Sequence, residues 1–95
     1  MYKDEYHPGV KKDLKQLDKP VVSEIKNFQI PKILQDPSSG YSLSGEFTGI
    51  YSHHFRKNNV DYRICYVVDQ KEKTVFILMI GKRENLYTIL KRRLL

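Results

Sequence analysis

Two strand-forming runs flank one short polar turn, and together they commit the second half of this chain to an antiparallel sheet. The first run is Tyr62-Arg63-Ile64-Cys65-Tyr66-Val67-Val68-Asp69, rich in β-branched and aromatic residues. Lys71-Glu72-Lys73 forms the turn. Val75-Phe76-Ile77-Leu78-Met79-Ile80 follows, the most apolar run in the chain, and reads as a central strand buried on both sides. A period of two puts Tyr62, Ile64, Tyr66 and Val68 on one face of the first run, and Arg63, Cys65 and Val67 on the other. The first set makes the better core face. Arg63 therefore stands opposite the core, either as an ordinary solvent-facing side chain or as part of a site.

Upstream, Phe47 to Arg56 reads as a further strand, with Ile50, Ser52 and His54 alternating against Tyr51, His53 and Phe55. Lys57-Asn58-Asn59 turns it into the run at Tyr62, so three strands form a meander. Tyr2 to Tyr6 make a short first strand that ends at His7-Pro8-Gly9. Val10, Leu14 and Leu17 then recur at helical spacing until Asp18-Lys19-Pro20. A second helix starts near Pro20 with Val21, Ile25 and Phe28 as its apolar stripe, Val22 and Gln29 beside it. Pro31 has no N–H and must kink or restart that helix, which resumes with Ile33 and Leu34. Asp36-Pro37-Ser38-Ser39-Gly40 stops it. Beyond Gly81, Leu86, Ile89, Leu90 and Leu94 give a last helix over 84–94, with Lys91, Arg92 and Arg93 in its final turn. The order is β-α-α-β-β-β-α. An α+β fold is expected, one domain over residues 1–95: a small, mainly antiparallel sheet, an N-terminal helical hairpin on one face, and a short C-terminal helix. The other face is left to carry the polar residues.

Composition excludes several function classes. The one cysteine, Cys65, rules out an intramolecular disulfide and a cysteine zinc site, and its place in a strand suits a small buried hydrophobe. No apolar run is long enough to span a bilayer, and Met1-Tyr2-Lys3-Asp4-Glu5 is not a secretory leader, so a cytoplasmic protein without membrane contact is expected. The formal charge of +6 is uneven. Residues 1–50 balance seven lysines against seven acids, whereas residues 51–95 hold ten cations against four acids, including all five arginines. Arginine binds phosphate through a planar fork of donors, so the second half favours a polyanion or an acidic partner.

The polar residues of the meander can converge. Pairing through the short turn brings residues 54–56 near 62–64, so that His54 and Arg63 share a surface. Lys82, Arg83, Glu84 and Tyr87 follow the third strand. A histidine among cations suits a phosphodiester: a base takes the proton of the attacking hydroxyl, an acid protonates the leaving oxygen, and arginine holds the charge growing on phosphorus. RNA brings its own nucleophile, the 2′-OH, so no metal or other cofactor is required. His53 and His54 face opposite ways, so at most one can serve such a site. Ser52 lacks a nucleophile elbow, and Gly45 and Gly49 make no phosphate loop.

Leu43-Ser44-Gly45, Gly49-Ile50-Tyr51-Ser52, Phe55-Arg56, Asp61-Tyr62-Arg63-Ile64-Cys65-Tyr66, Ile80-Gly81-Lys82-Arg83-Glu84 and Tyr87 together resemble the RelE/ParE superfamily of toxins from toxin–antitoxin pairs. The resemblance extends over residues 2–94, and the Gly81-Lys82-Arg83-Glu84 ending with Tyr87 is RelE-like. It implies a compact toxin neutralised by a small antitoxin, expected as an acidic helical segment across the basic face and able to displace the last helix. RelE-type members cut mRNA in the ribosomal A site; ParE-type members poison DNA gyrase by binding. The first implies ribosome, rRNA and mRNA as partners, with Arg63, Arg83 and Tyr87 on family site positions. Two family lysines are replaced here by Ser52 and His54, and His54 is expected to take over as general base. Arg56 matches a strand-ending arginine expected to bind RNA phosphate. With the basic second half, this makes Ser52, Arg56, Lys57, Lys82, Lys91, Arg92 and Arg93 the expected RNA-binding positions. The alternatives are a ParE-like gyrase inhibitor without nuclease chemistry, and an inactive toxin that only binds its antitoxin.

Overall fold

The computed structural model describes residues 1–95. The strands are β1 (Lys3–Tyr6), β2 (Tyr41–Ser42), β3 (Tyr51–Lys57), β4 (Val60–Asp69) and β5 (Thr74–Lys82), joined in one sheet of order β1-β5-β4-β3-β2. The expected meander is β3-β4-β5. Its first turn is made by Asn58 and Asn59 at φ 52° and 64°, left-handed values that a two-residue hairpin requires and asparagine tolerates. β1 adds to one edge, parallel to β5, and the two-residue β2 closes the other, antiparallel to β3.

A β-bulge explains how the most apolar run serves two cores. Cys65 faces Met79 across the β4–β5 ladder, but the next residue, Tyr66, faces Ile77. Leu78 is the extra residue. Residues 77 and 80 would fall on opposite faces of a regular strand; with the bulge, Val75, Ile77 and Ile80 all join the core under the helices while Leu78 and Met79 turn to the other face.

That first core lies beneath α1 (Val10–Lys15), α2 (Lys19–Glu24) and α3 (Ile30–Gln35). Tyr62, Ile64 and Tyr66 of β4 belong to it, as their alternation required. The helix does not break at Pro31. A π turn over Ile25–Gln29 carries it through, with the Ile30 N–H bonded to the Ile25 carbonyl five residues back. Proline donates no hydrogen bond and crowds the carbonyl four residues earlier, and the wider turn accommodates this. The extra residue also resets the helical phase. Ile25, Gln29, Ile30 and Ile33 are buried, whereas Phe28, expected in the stripe, is 58% exposed. Gln29 is satisfied in its buried position: its amide donates to Glu24 Oε2 at 2.7 Å, and its carbonyl oxygen meets His53 Nε2 at 2.8 Å.

The second face of the sheet departs from expectation. It is not simply polar but carries its own core of Phe47, Ile50, Cys65, Leu78, Met79, Leu86 and Leu90. α4 (Leu86–Arg93) lies on it, entered through a 3₁₀ turn over Arg83–Asn85. The strand expected from Phe47 begins only at Tyr51. Gly45–Phe47 is a 3₁₀ turn, and Gly45 and Gly49 hold φ of 66° and 96°, which breaks the extended run and folds Phe47 into the core.

Arg93 ends α4 in a position that excludes an RNA-binding role. β1 stops at Tyr6, paired with Ile77, so β5 has an open edge beyond that point. Asp13 and Arg93 occupy it. The Arg93 guanidinium donates to Asp13 Oδ1 at 2.6 Å and Oδ2 at 2.9 Å, to the Leu78 carbonyl at 2.8 Å and to the Gly9 carbonyl at 3.1 Å. Asp13 Oδ2 also accepts from the Ile80 N–H at 3.0 Å. A Cβ at Gly9 would overlap the guanidinium and force it to shift out of this network. The pair joins α1, β5 and α4, and its side chains are 8% and 13% exposed.

Candidate functional site

Register brings the meander's polar residues together. His54 pairs with Arg63 across β3–β4, and Arg63 pairs with Gly81 across β4–β5. Arg83 follows two residues after Gly81, at the start of the 3₁₀ turn. His54, Phe55, Arg56, Asp61, Arg63 and Arg83 line a shallow open cleft of about 410 Å³. Three guanidinium groups there face one carboxylate. Arg56 and Asp61 form a loose ion pair at 4.0 Å across the hairpin end. Arg63 is half-buried and uses one N–H to hold the Tyr62 carbonyl at 3.1 Å, which orients a guanidinium that carries five donors in all.

His54 is exposed at the edge of this cleft and stacks on Tyr41, ring centroids 4.3 Å apart. Partial burial holds its pKa below the ordinary histidine value; the charges of Arg63, His53 and Arg83 push the same way, and Asp61 opposes them. These influences favour the neutral imidazole, the form that can accept a proton. His53 points to the other face, bonded to Gln29, with its pKa also lowered by burial and by Lys32. It is a structural histidine of the helix–sheet interface.

The remaining expected site residues divide. Lys82 is exposed in an adjoining shallow cleft that also includes Asp61 and Arg83. Tyr87, in the first turn of α4, is 60% exposed and stacks on Phe47 at 5.5 Å. It lies outside the cleft lining. Arg92 is exposed, and Lys91 pairs with Glu46 at 3.7 Å on the surface. One further expected RNA contact does not survive. Ser52 is fully buried beside its register partner Cys65 in the second core, and its Oγ lacks a hydrogen-bond partner of ordinary geometry. Lys57 has the parity of His53, not His54, and pairs with Glu24 on the helical side at 3.7 Å. Asp61 and Tyr41 were not legible as cleft residues. Asp61 sits opposite Arg56 only because the hairpin turn has two residues; Tyr41 reaches His54 only through β2, too short to leave a sequence pattern.

No three His, Cys, Asp or Glu side chains cluster closely enough to hold a metal ion. No helix is long and apolar enough to cross a membrane.

A family profile described as ParE-like toxin of type II bacterial toxin–antitoxin system matches residues 5–91. No curated protein sequence matches the chain. Among solved structures, the chain is similar to the toxin–antitoxin complex RelBE2 from Mycobacterium tuberculosis, with TM-score 0.74 and 25% identity over 86% of this chain and 98% of that one. It is also similar to a free double-arginine mutant of the E. coli toxin RelE, with TM-score 0.75 and 22% identity over 99% and 98% of the two chains. The isolated E. coli RelE toxin matches over the whole of both chains, with TM-score 0.68 and 22% identity. The strand order, the helices over one face and the C-terminal helix over the other are thus a RelE fold. The chain belongs to the ParE-like toxins of type II toxin–antitoxin systems, within the RelE/ParE superfamily.

Proposed function

We propose that this toxin is a ribosome-dependent mRNA endonuclease that cuts without a metal. The observation that carries the reading is the register row: His54, Arg63 and Arg83 around one open cleft on one sheet face. His54 takes the proton of a ribose 2′-OH. The 2′-oxygen bonds to the adjacent phosphorus, the bond from phosphorus to the 5′-oxygen breaks, and that oxygen leaves with a proton. The products are a 2′,3′-cyclic phosphate and a 5′-hydroxyl. Arg63 and Arg83 stabilise the charge on the phosphoryl oxygens, where preorganised donors act most strongly. Arg56 holds a flanking phosphate. Tyr87 orients the RNA or protonates the leaving oxygen. The basic surface around the cleft, with Lys82 and Arg92, meets rRNA, and the ribosome presents the mRNA. The site of action is the cytoplasm, where ribosomes are.

A cognate antitoxin is the other partner. Relatives of this fold have been solved in toxin–antitoxin complexes, RelBE2 and intact E. coli RelBE among them. An acidic helical segment across the cationic cleft would neutralise the cations that the chemistry uses.

The test is cell-free translation with primer extension on the mRNA. The wild-type toxin should produce cuts at ribosome-occupied codons, and Arg63→Ala with Arg83→Ala should abolish them while the fold survives. Growth arrest with intact mRNA and damaged DNA would instead place the toxin with the gyrase poisons and overturn the nuclease reading.

A further inference from the structure

We infer that Tyr41 is a nucleobase-stacking platform, and that it receives the base on the 5′ side of the cut. The inference rests on the nuclease reading and adds a substrate contact to it. Tyr41 stands in register with Ser52 across β2–β3, so its side chain is on the cleft face, diagonal to His54. One side of its ring stacks on His54 with centroids 4.3 Å apart and planes at 26°. The residue remains 65% exposed, among the most exposed aromatics of the chain. A large apolar ring left open at the edge of three guanidinium groups has no role in either core. Tyr41 belongs to neither buried cluster. Aromatic side chains beside a cationic groove are how proteins hold single-stranded RNA, because every base offers a face for stacking while the cations track the backbone.

The chemistry selects which base. The 2′-oxygen and the base hang from adjacent carbons of one ribose. When His54 removes the 2′-OH proton, the base of that same nucleotide is the one brought to Tyr41. It lies on the 5′ side of the broken bond. Stacking grows with ring area, so a purine there should be held better than a pyrimidine. The hydroxyl of Tyr41 is not needed for this, since the ring alone supplies the surface.

The experiment uses full-length toxin and a short RNA with a 2′-deoxy nucleotide at the cut, which cannot be cleaved. Binding is read by fluorescence anisotropy at low salt for wild type, Tyr41→Phe and Tyr41→Leu, with thermal melts to check the fold. Tyr41→Leu should weaken binding about tenfold and Tyr41→Phe less than about twofold, the scale of one base stacked on an aromatic ring. With an abasic nucleotide on the 5′ side of the cut, wild type and Tyr41→Leu should bind alike. Equal binding of wild type and Tyr41→Leu to the intact RNA overturns the inference. So does a tenfold loss that persists on the abasic RNA, since Tyr41 would then act only by supporting His54. Cleavage of ribosome-bound mRNA is measured in parallel. If the wild type binds RNA but cuts nothing, the nuclease reading fails while the abasic comparison still decides the platform. If it neither binds nor cuts, both fail.

Discussion

Replacing Arg93 with methionine should be among the most damaging single changes in this protein. Methionine keeps much of the aliphatic bulk and removes the charge and all four hydrogen bonds to Asp13, Leu78 and Gly9. Asp13, 8% exposed, is left as a buried carboxylate whose remaining partner is the Ile80 N–H. Removing one member of a buried ion pair costs about 3–5 kcal/mol, mostly because the other charge is stranded. The Leu78 carbonyl, on the open edge of β5, loses its arginine donor as well, whereas the Gly9 carbonyl keeps the Asp13 N–H at 3.1 Å. A domain of this size has about 5–15 kcal/mol of total stability, so the loss is a large fraction of it. Urea unfolding with m near ~1.5 kcal/mol/M should then show the midpoint fall by about 2–3 M. The double variant Asp13→Leu with Arg93→Met separates the stranded charge from lost packing. It should be more stable than Arg93→Met alone, because no buried charge remains. A loss below about 1 kcal/mol in Arg93→Met, or simple additivity in the double variant, would refute this account of the pair.

Four other outcomes follow from the structure. Both His53 and His54 have pKa values lowered by burial, so below pH ~6.5 the unfolded chain binds protons that the folded chain resists. Stability from this source should be complete above pH ~6.5 and decline as the pH falls toward the lowered values, and His53→Gln should flatten the dependence in pH-stepped melts. For the same reason the acid limb of the cleavage rate should lie below pH ~6.5; a limb near pH 8 would remove His54 as the base. Cys65 is fully buried, and burial pushes its thiol up to about 11 against the opposing pull of the Ser52 hydroxyl and Arg63, so a thiol reagent at pH 8 should label the unfolded protein and spare the native one. Asn59 holds φ of 64°, so Asn59→Gly should be neutral or stabilising by a few tenths of a kcal/mol, while Asn59→Val should cost about 1 kcal/mol or more, read from denaturant midpoints.

Local pattern carried a reading where one periodicity held over several residues and one face was strongly apolar. β4 shows this best: its alternation separated Tyr62, Ile64 and Tyr66 from Arg63, and the register kept that separation. The two-residue turn at Asn58 and Asn59 then placed His54 opposite Arg63 without help from distant contacts. Reading failed where a single residue shifted the phase. The π turn before Pro31 moved Phe28 to solvent, and the start of β3 was delayed by two glycines at positive φ. Neither shift alters composition or charge, so no local count exposes it.

By itself the sequence determined the α+β class, the meander, the strand faces and the concentration of arginine in the second half, because each follows from short-range periodicity or from charge. Only the tertiary structure decided which cations are free. Arg93 and Arg83 are both arginines flanking the last helix, yet one is locked against Asp13 on the open edge of β5 and the other lines the cleft with His54. The difference lies in Asp13, eighty residues from Arg93 in the chain, and in the early end of β1. The same holds for Ser52 and Tyr41: packing of the second core buried the expected contact, and a two-residue edge strand supplied an unexpected one. Contacts between residues so far apart are set by the whole packed chain, and no window of neighbours contains them.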